Sequence, residues 1–439
     1  MGKEEYMVLD PKIFISKPYL KCPKCRRKET FGVLWISAAG YTRKCLKCQF
    51  TKSFKLPQLK KKIIYLDQFV ISEMMKAINK KLGKAKKVNS FWLTLFEKID
   101  RLLKLQLIIC PDSCFHRDES ALYQFEAHRR MYEHLSNGAS FYDAGTIRKF
   151  QISDYFRQFM QGEKKSGPKL EIKNIIHGHL NDWQERIRIS VNFDIKEEEI
   201  KQLKTTKAKV NNALSEIFER WKTEKDKKFL DWFIEEGMAF GKEIVQSYFK
   251  NLSKLYYLSN RRLTVTAEES LNIIMSDANT IIHGLKRYLP ETEDPNKKDE
   301  NLKKIIDFLL SKKMLEIPSN RLTALLWSAI ADQAAHGGRK KLSSPGIAID
   351  IRMVSTILPY CDAMFIDREM YGLLDYPEVK KEVKNKYKTN VFSPANKKKF
   401  LTYLNNIEKG ASKEHLEKVK EVYGTDWPYP FVEMYEYEH

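Results

Sequence analysis

The sequence predicts an α/β protein: a parallel sheet flanked by helices, interrupted by a long α-helical insertion and preceded by a small β-rich module held by four cysteines. Three observations lead there. Two short apolar runs, Ile63-Ile64-Tyr65-Leu66 and Ala363-Met364-Phe365-Ile366, each stop at an aspartate and run on into a helical pattern. Such runs lack alternation, as strands buried on both faces should. Between them lies a long stretch of helical periodicity, and ahead of them stand two CxxC pairs.

The first module, residues 1–62, carries Cys22-Pro-Lys-Cys25 and Cys45-Leu-Lys-Cys48 with 19 residues between the pairs. That spacing belongs to four-cysteine zinc sites, and four thiolates leave no open position for catalysis, so a structural zinc ribbon is expected. Phe31 to Trp35 and Tyr41 are placed to form a hairpin joining the two cysteine turns. Of the 439 residues, 78 are Lys or Arg and 57 Asp or Glu, a net charge of +21. Residues 1–62 hold 16 of the basic residues and 4 of the acidic ones, a surplus of 12 that leaves 9 for the rest. A front-loaded charge favours a polyanion, nucleic acid above all, through counterion release. Arg26, Arg27, Lys28, Arg43, Lys44 and Lys47, with Trp35 among them, supply cations for phosphates and a ring for bases. Lys60-Lys61-Lys62 reads as a charged hinge.

Residues 63–125 begin the sheet. The run ending at Asp67 leads into a helix through Phe69, Val70, Met74 and Ile78; Leu105–Cys110 forms the next strand, and Arg117-Asp118-Glu119-Ser120 opens another helix. Residues 126–339 are read as the insertion, helical through Ile217, Phe218, Trp221, Trp232 and Phe233, with a loop at Pro290–Asp299. An insertion of this size leaves the sheet and returns near it, so it is expected to wall the active edge, select substrate or bind a partner protein. Residues 340–439 close the sheet. A turn at Pro345-Gly346 precedes a helix carrying Asp350 in its first turn; the second apolar run ends at Asp367, and Asn390-Val391-Phe392 is a last strand. In open parallel sheets ligands bind beyond the carboxyl ends of the strands, so acids at those ends point into a site.

The block IIYLD with its helix, the acid on the helix after the next strand, and AID(x11)DAMFID together resemble the PIN and PIN-like nucleases, metal-dependent enzymes that mostly cut RNA. The resemblance covers residues 63 to 125 and 340 to 405. It implies Asp67, Glu119, Asp350 and Asp367 as catalytic acids, with Asp67, Asp350, Asp362 and Asp367 holding Mg²⁺ or Mn²⁺; Asp112 and Asp118 are rivals to Glu119. Clustered carboxylates suit such hard cations. Arg339 and Lys340, in a Gly-rich basic loop ahead of the late helix, are expected to hold the phosphate backbone. By family habit the make-up would suit a prokaryotic toxin, an anti-phage effector or an RNA-processing enzyme. A nuclease acting on single-stranded or flapped DNA and a non-catalytic nucleic-acid-binding adaptor stand as alternatives.

Several classes are set aside. No apolar run approaches the ~20 residues of a membrane helix, and the first residues lack the order of a secretory signal, so a cytoplasmic protein is expected. No P-loop, HExxH or dinucleotide fingerprint is present. Arg129 and His134 match the R(x4)H form of some metal-independent ribonucleases, a short pattern easily met by chance.

Overall fold

A computed structural model describes residues 14–81, 89–121, 125–162, 171–185, 205, 212–259, 266–342 and 346–425. The first residues, which lack the order of a signal, and Pro345 of the expected turn lie outside them.

The chain opens with a four-stranded antiparallel sheet in sequential order: β1 (Ser16–Leu20), β2 (Phe31–Ser37), β3 (Gly40–Cys45) and β4 (Thr51–Lys55). Strands β2 and β3 form the expected hairpin, with Phe31 opposite Cys45 and Ser37 opposite Gly40. β1 crosses so close to Gly32 that a Cβ there would fall 2.5 Å from the Tyr19 ring and 2.7 Å from the Ser16 carbonyl. Glycine is what permits that approach.

Next come β5 (Lys62–Leu66), α1 (Gln68–Lys81), α2 (Ser90–Lys104), β6 (Ile108–Ile109), α3 (Cys114–Ala121) and α4 (Phe125–Ser136). Helix α2 shows why these segments fold as they do. Asn89 caps it by accepting from the Phe91 amide at 3.0 Å, Arg101 and Lys104 complement its carboxyl end, and Trp92, Leu95, Phe96, Ile99 and Leu103 are buried along one stripe. Strands β7 (Ser140–Phe141) and β8 (Ile176–His177) pair around α5 (Ala144–Met160). A helical stretch follows: α6 (212–221), α7 (Phe229–Ser259), α8 (Ala267–Ile274), α9 (Asp277–Lys286), α10 (Pro295–Leu309), α11 (Pro318–Ala335) and α12 (Ile347–Ile357). The chain then returns to the sheet with β9 (Ala363–Phe365), α13 (Arg368–Leu374), α14 (Pro377–Lys386) and β10 (Asn390–Phe392), and ends in α15 (Lys397–Lys409) and α16 (Lys413–Tyr423).

The second sheet is parallel throughout, in the order β6-β5-β9-β10. Ile64, Tyr65 and Leu66 lie in register with Ala363, Met364 and Phe365. Side chains alternate between two cores. Ile64, Leu66, Ala363 and Phe365 meet α1, α2 and α15 through Val70, Phe96, Ile99 and Phe400. Tyr65, Met364 and Ile366 meet α11, α12 and α13 through Ile330, Ile351, Val354 and Met370. From β5 the chain steps to β6 on one side, and it later adds β9 on the other. The strand order therefore reverses between β5 and β9, the place where doubly wound sheets open a crevice.

The insertion is continuous with these cores at both ends. Met131, Tyr132 and Leu135 of α4 share the first core, and α11 lies in the second. Its middle has a core of its own, with Ile152, Phe156, Tyr248, Ile282 and Phe308 from α5, α7, α9 and α10.

No flexible hinge follows the first module. Lys61 is buried, with its ammonium donating to the Asp182 carbonyl at 2.6 Å, and burial lowers its pKa to about 8. Lys62 is already strand. Val33, Ile36, Tyr41, Leu56 and Leu59 form one cluster with Leu105, Trp183 and, from α16, Val419, Val422 and Tyr423. No helix among the described residues is long and apolar enough to cross a membrane.

Candidate active site

Asp67 and Asp367 end on adjacent strands at the reversal point. The Asp67 amide donates to the Phe365 carbonyl at 3.0 Å, which ties the two strand ends together. Asp367 also caps α13, accepting from the Met370 amide at 2.7 Å. Glu119 comes from the last turn of α3 and Asp350 from the first turn of α12. Asp67, Glu119 and Asp350 line one cavity of about 10 Å³, closed by Tyr65, Gln68, Phe115, His116, Ile349 and Met353. That is close to the smallest volume that holds a water.

The charges act on one another. Burial, and then the fields of Asp350, Glu119 and Asp367, hold the Asp67 carboxyl well above the usual carboxylate range, although a hydrogen bond from the Gln68 amide pulls the other way. Burial likewise pushes up the Tyr65 phenol, with Asp67 and Glu119 adding to it. A partly buried acid surrounded by acids is costly to ionise, and such arrangements concentrate at functional sites. The cluster is nonetheless open: among the described residues, no three carboxylates bring an oxygen each within 4.8 Å of one another.

The wall behind Glu119 escaped sequence reasoning. His116 stacks between Tyr65 and Tyr132, with ring centroids 4.8 and 5.0 Å away, and its Nε2–H donates to the Leu66 carbonyl at 2.7 Å. Tyr132 donates to the Gln68 side-chain oxygen and lies 2.7 Å from the Ser120 hydroxyl, which accepts from Gln68 Nε2 at 3.2 Å. The Tyr65 and Ser113 hydroxyls are 2.8 Å apart. These bonds lock α3 against β5 and α1 and so set where Glu119 stands. The available signal was spacing, because His116, Glu119 and Ser120 fall at i, i+3 and i+4 on one helix face. Of the rivals, Asp112 lines a neighbouring cavity with Cys110 and Tyr132, while Asp118 is exposed beside Arg117 and Arg352.

Asp362 does not belong to this group. It precedes β9 and so stands at the amino end of the sheet, where it accepts from Lys62 Nζ at 2.7 Å and from the Ile63 amide at 2.9 Å. Strand direction separates it from Asp367. The Arg129–His134 pattern also dissolves. His134 is buried against Asp100 at 2.7 Å, Asp100 also holds Lys104 at 2.7 Å, and Arg129 pairs with Glu133.

In the first module the four cysteines bring their sulfurs within 4.8 Å of one another, close enough to hold one metal ion. Cys22 to Cys48 and Cys25 to Cys45 measure 3.6 and 3.7 Å. Each CxxC turn ends on a left-handed residue, Arg26 (φ 58°) and Gln49 (φ 59°), whose amides donate back to Cys22 and Cys45. Burial raises the Cys45 thiol, but the Cys48 amide, the Thr30 hydroxyl and the Lys47 amide outweigh it and bring the pKa to about 6.

Arg26, Arg27, Lys28 and Lys47 are exposed, Lys44 is half-buried, and Trp35 is 59% exposed with its indole N–H on Thr42. Arg43 is a correction. It is fully buried and donates to the carbonyls of Pro18 (2.6 Å), Phe31 (3.1 Å) and Glu421 (2.6 Å), so it joins the module to α16 and has no face for phosphate. Arg339 is pinned to Gln333 at 3.1 Å and to Glu369 at 2.9 Å, two residues beyond Asp367, while Lys340 is exposed.

Comparison with family models, curated proteins and solved structures finds no match to this chain.

Proposed function

We propose that this chain is a PIN-like, metal-dependent nuclease that hydrolyses phosphodiester bonds in RNA. The observation that carries the reading is the convergence of Asp67, Glu119 and Asp350, from three separate segments, on one ion-sized cavity at the strand-order reversal, with Asp367 beside them. Partly buried acids that raise one another's pKa are costly to ionise, and a cation bound among them would offset that cost, which supports a metal site here.

The wide carboxylate spacing fits Mg²⁺ or Mn²⁺, which take one or two carboxylates and keep several waters, better than an ion needing a closed protein cage. Asp67, Asp350 and Asp367 would hold the ion, directly or through water. Bound there, it would acidify a coordinated water and offset charge developing on the phosphate. Glu119, kept in place by the Tyr132, Ser120 and Gln68 network, would orient the attacking water and accept its proton.

In the first module the ion is read as Zn²⁺. A tetrahedral site with Zn–S of about 2.3 Å has sulfurs about 3.8 Å apart, near the 3.6 and 3.7 Å observed. The exposed Arg26, Arg27, Lys28 and Trp35 make this module the first contact for single-stranded RNA.

The test is incubation of single-stranded RNA and matched DNA with Mn²⁺. Wild type is expected to cut RNA, and Asp67→Asn and Asp367→Asn to lose cleavage while keeping their circular dichroism. Undiminished cleavage by both variants would refute the assignment. Tight, salt-sensitive binding without cleavage under any divalent ion would leave an adaptor, and cleavage of DNA alone would move the substrate class.

A further inference from the structure

Large apolar side chains left in water are unevenly spread over this chain. Among the described residues 15 of them are exposed, and six of these fall on two neighbouring helices of the insertion. Toward the end of α7, Phe249, Leu252 and Tyr256 stand at i, i+3 and i+7 and so share one face. On α8, Leu271 and Ile274 share a face with Met275, whose amide still donates to the Leu271 carbonyl at 2.8 Å. The six are 38 to 62% exposed.

Hydrogen bonds fix how the two helices lie. Asn251 of α7 donates from Nδ2 to the hydroxyl of Ser276, the residue after Met275, at 2.8 Å. Asn251 is eight residues short of the end of α7 and α8 is itself eight residues long, so α8 folds back antiparallel along the last two turns of α7. The inward side of α7 is already used by the insertion's core through Ile244 and Tyr248, and each residue of the Phe249 stripe is turned away from it. Apolar residues scattered singly on a surface are ordinary, whereas a group of this kind on two packed helices marks a surface that binds something.

A fully exposed side chain of this size offers about 200 Å², so the six present on the order of 600 Å² together, which is what each partner contributes to the smaller stable interfaces. The flanking charges differ in sign between the helices. Among the described residues, Lys250 and Lys254 on α7 have no carboxylate within 4.0 Å, while the sequence of α8 opens with Ala267-Glu268-Glu269. A phosphate backbone gains nothing from a face of leucine, isoleucine and methionine.

We infer that this face binds a second copy of the chain, the two helical hairpins meeting about a two-fold axis so that α7 of one copy lies on α8 of the other. A two-fold contact sets a patch against itself, covers both stripes at once and brings the lysines of each α7 toward the acidic opening of the opposite α8. The inference does not depend on the hydrolase reading.

The test is sedimentation velocity of the full chain, with the four-cysteine site metal-loaded, over about 1 to 50 µM. The mass is expected to rise from 51.7 kDa toward twice that across the series. Leu271→Glu with Met275→Glu should weaken association at least about a hundredfold, and Tyr256→Glu, from the other helix, about tenfold. All three side chains are more than half exposed, so circular dichroism and the melting of dilute protein should match wild type. Leu230→Glu, equally exposed but about 28 Å back along α7 from Phe249, should associate like wild type. Wild type that stays monomeric at every concentration, whether or not it binds anionic phospholipid vesicles, would overturn the dimer. So would dimers that survive the α8 double variant, or an equal loss in Leu230→Glu.

Discussion

Asp67→Asn should change stability in opposite directions with and without a divalent ion. In the folded chain Asp67 lies among Asp350, Glu119 and Asp367, and burial with their charges holds its carboxyl well above the 3.8 of a free aspartate. The folded state therefore binds the proton more tightly than the unfolded state does. The resulting penalty is absent below about pH 4, grows as pH rises toward the folded pKa and is constant beyond it. Like charges near a protein surface repel by up to about 4 kcal/mol at contact and by less as they separate, so removing this one carboxyl should stabilise the divalent-free protein by on the order of 1–3 kcal/mol at pH 7.5 and hardly at all at pH 4. Mn²⁺ at about a hundred times its Kd should add about 2.7 kcal/mol to wild type and little to the variant, cancelling most of the variant's advantage. The assay is urea unfolding at both pH values, with and without Mn²⁺, the ribbon's metal being left in place. If the variant proves less stable than wild type at pH 7.5 without Mn²⁺, or gains as much from the ion, Asp67 is not a strained ligand and the reasoning fails.

Asp362→Asn should leave cleavage unchanged and cost under about 1 kcal/mol, because it loses only a part-exposed pair with Lys62 at the opposite edge; rate and melting temperature check both. His134→Ala should keep the cleavage rate but lower stability by about 1–3 kcal/mol, since the buried Asp100 loses a partner; a rate collapse in a folded variant would restore a catalytic role for the histidine. Arg43→Met strands three carbonyls and should destabilise the ribbon by on the order of 3–5 kcal/mol, read by hydrogen exchange in β2 and β3.

Strand-end acids were legible because strands covered on both faces are written as unbroken apolar runs, and the residue that ends such a run marks the sheet's edge. That logic located Asp67 and Asp367. Asp362 entered only through the family resemblance; it precedes its strand, at the amino end, where the same logic expects no site. Glu119 and its rivals could not be separated by spacing, since the choice depends on how α3 is rotated, and that rotation is held by His116, Ser120 and Tyr132. Arg43 was misplaced for a related reason. A cation in a basic stretch reads as surface, yet Tyr41, Arg43 and Cys45 alternate along β3 and share its buried side. The hinge was misread because a run of lysines says nothing about whether their stems pack.

The union of the first module with α16, through Arg43, Tyr41 and Glu421, makes residues from opposite ends of the polypeptide a single mechanical unit. Trimming the chain before residue 412 would take away the floor on which the four-cysteine module rests. An expression vector designed around the module alone, or a protease nick ahead of α16, would then release apolar surface at Val33, Ile36 and Tyr41 and invite aggregation even with every metal ligand intact.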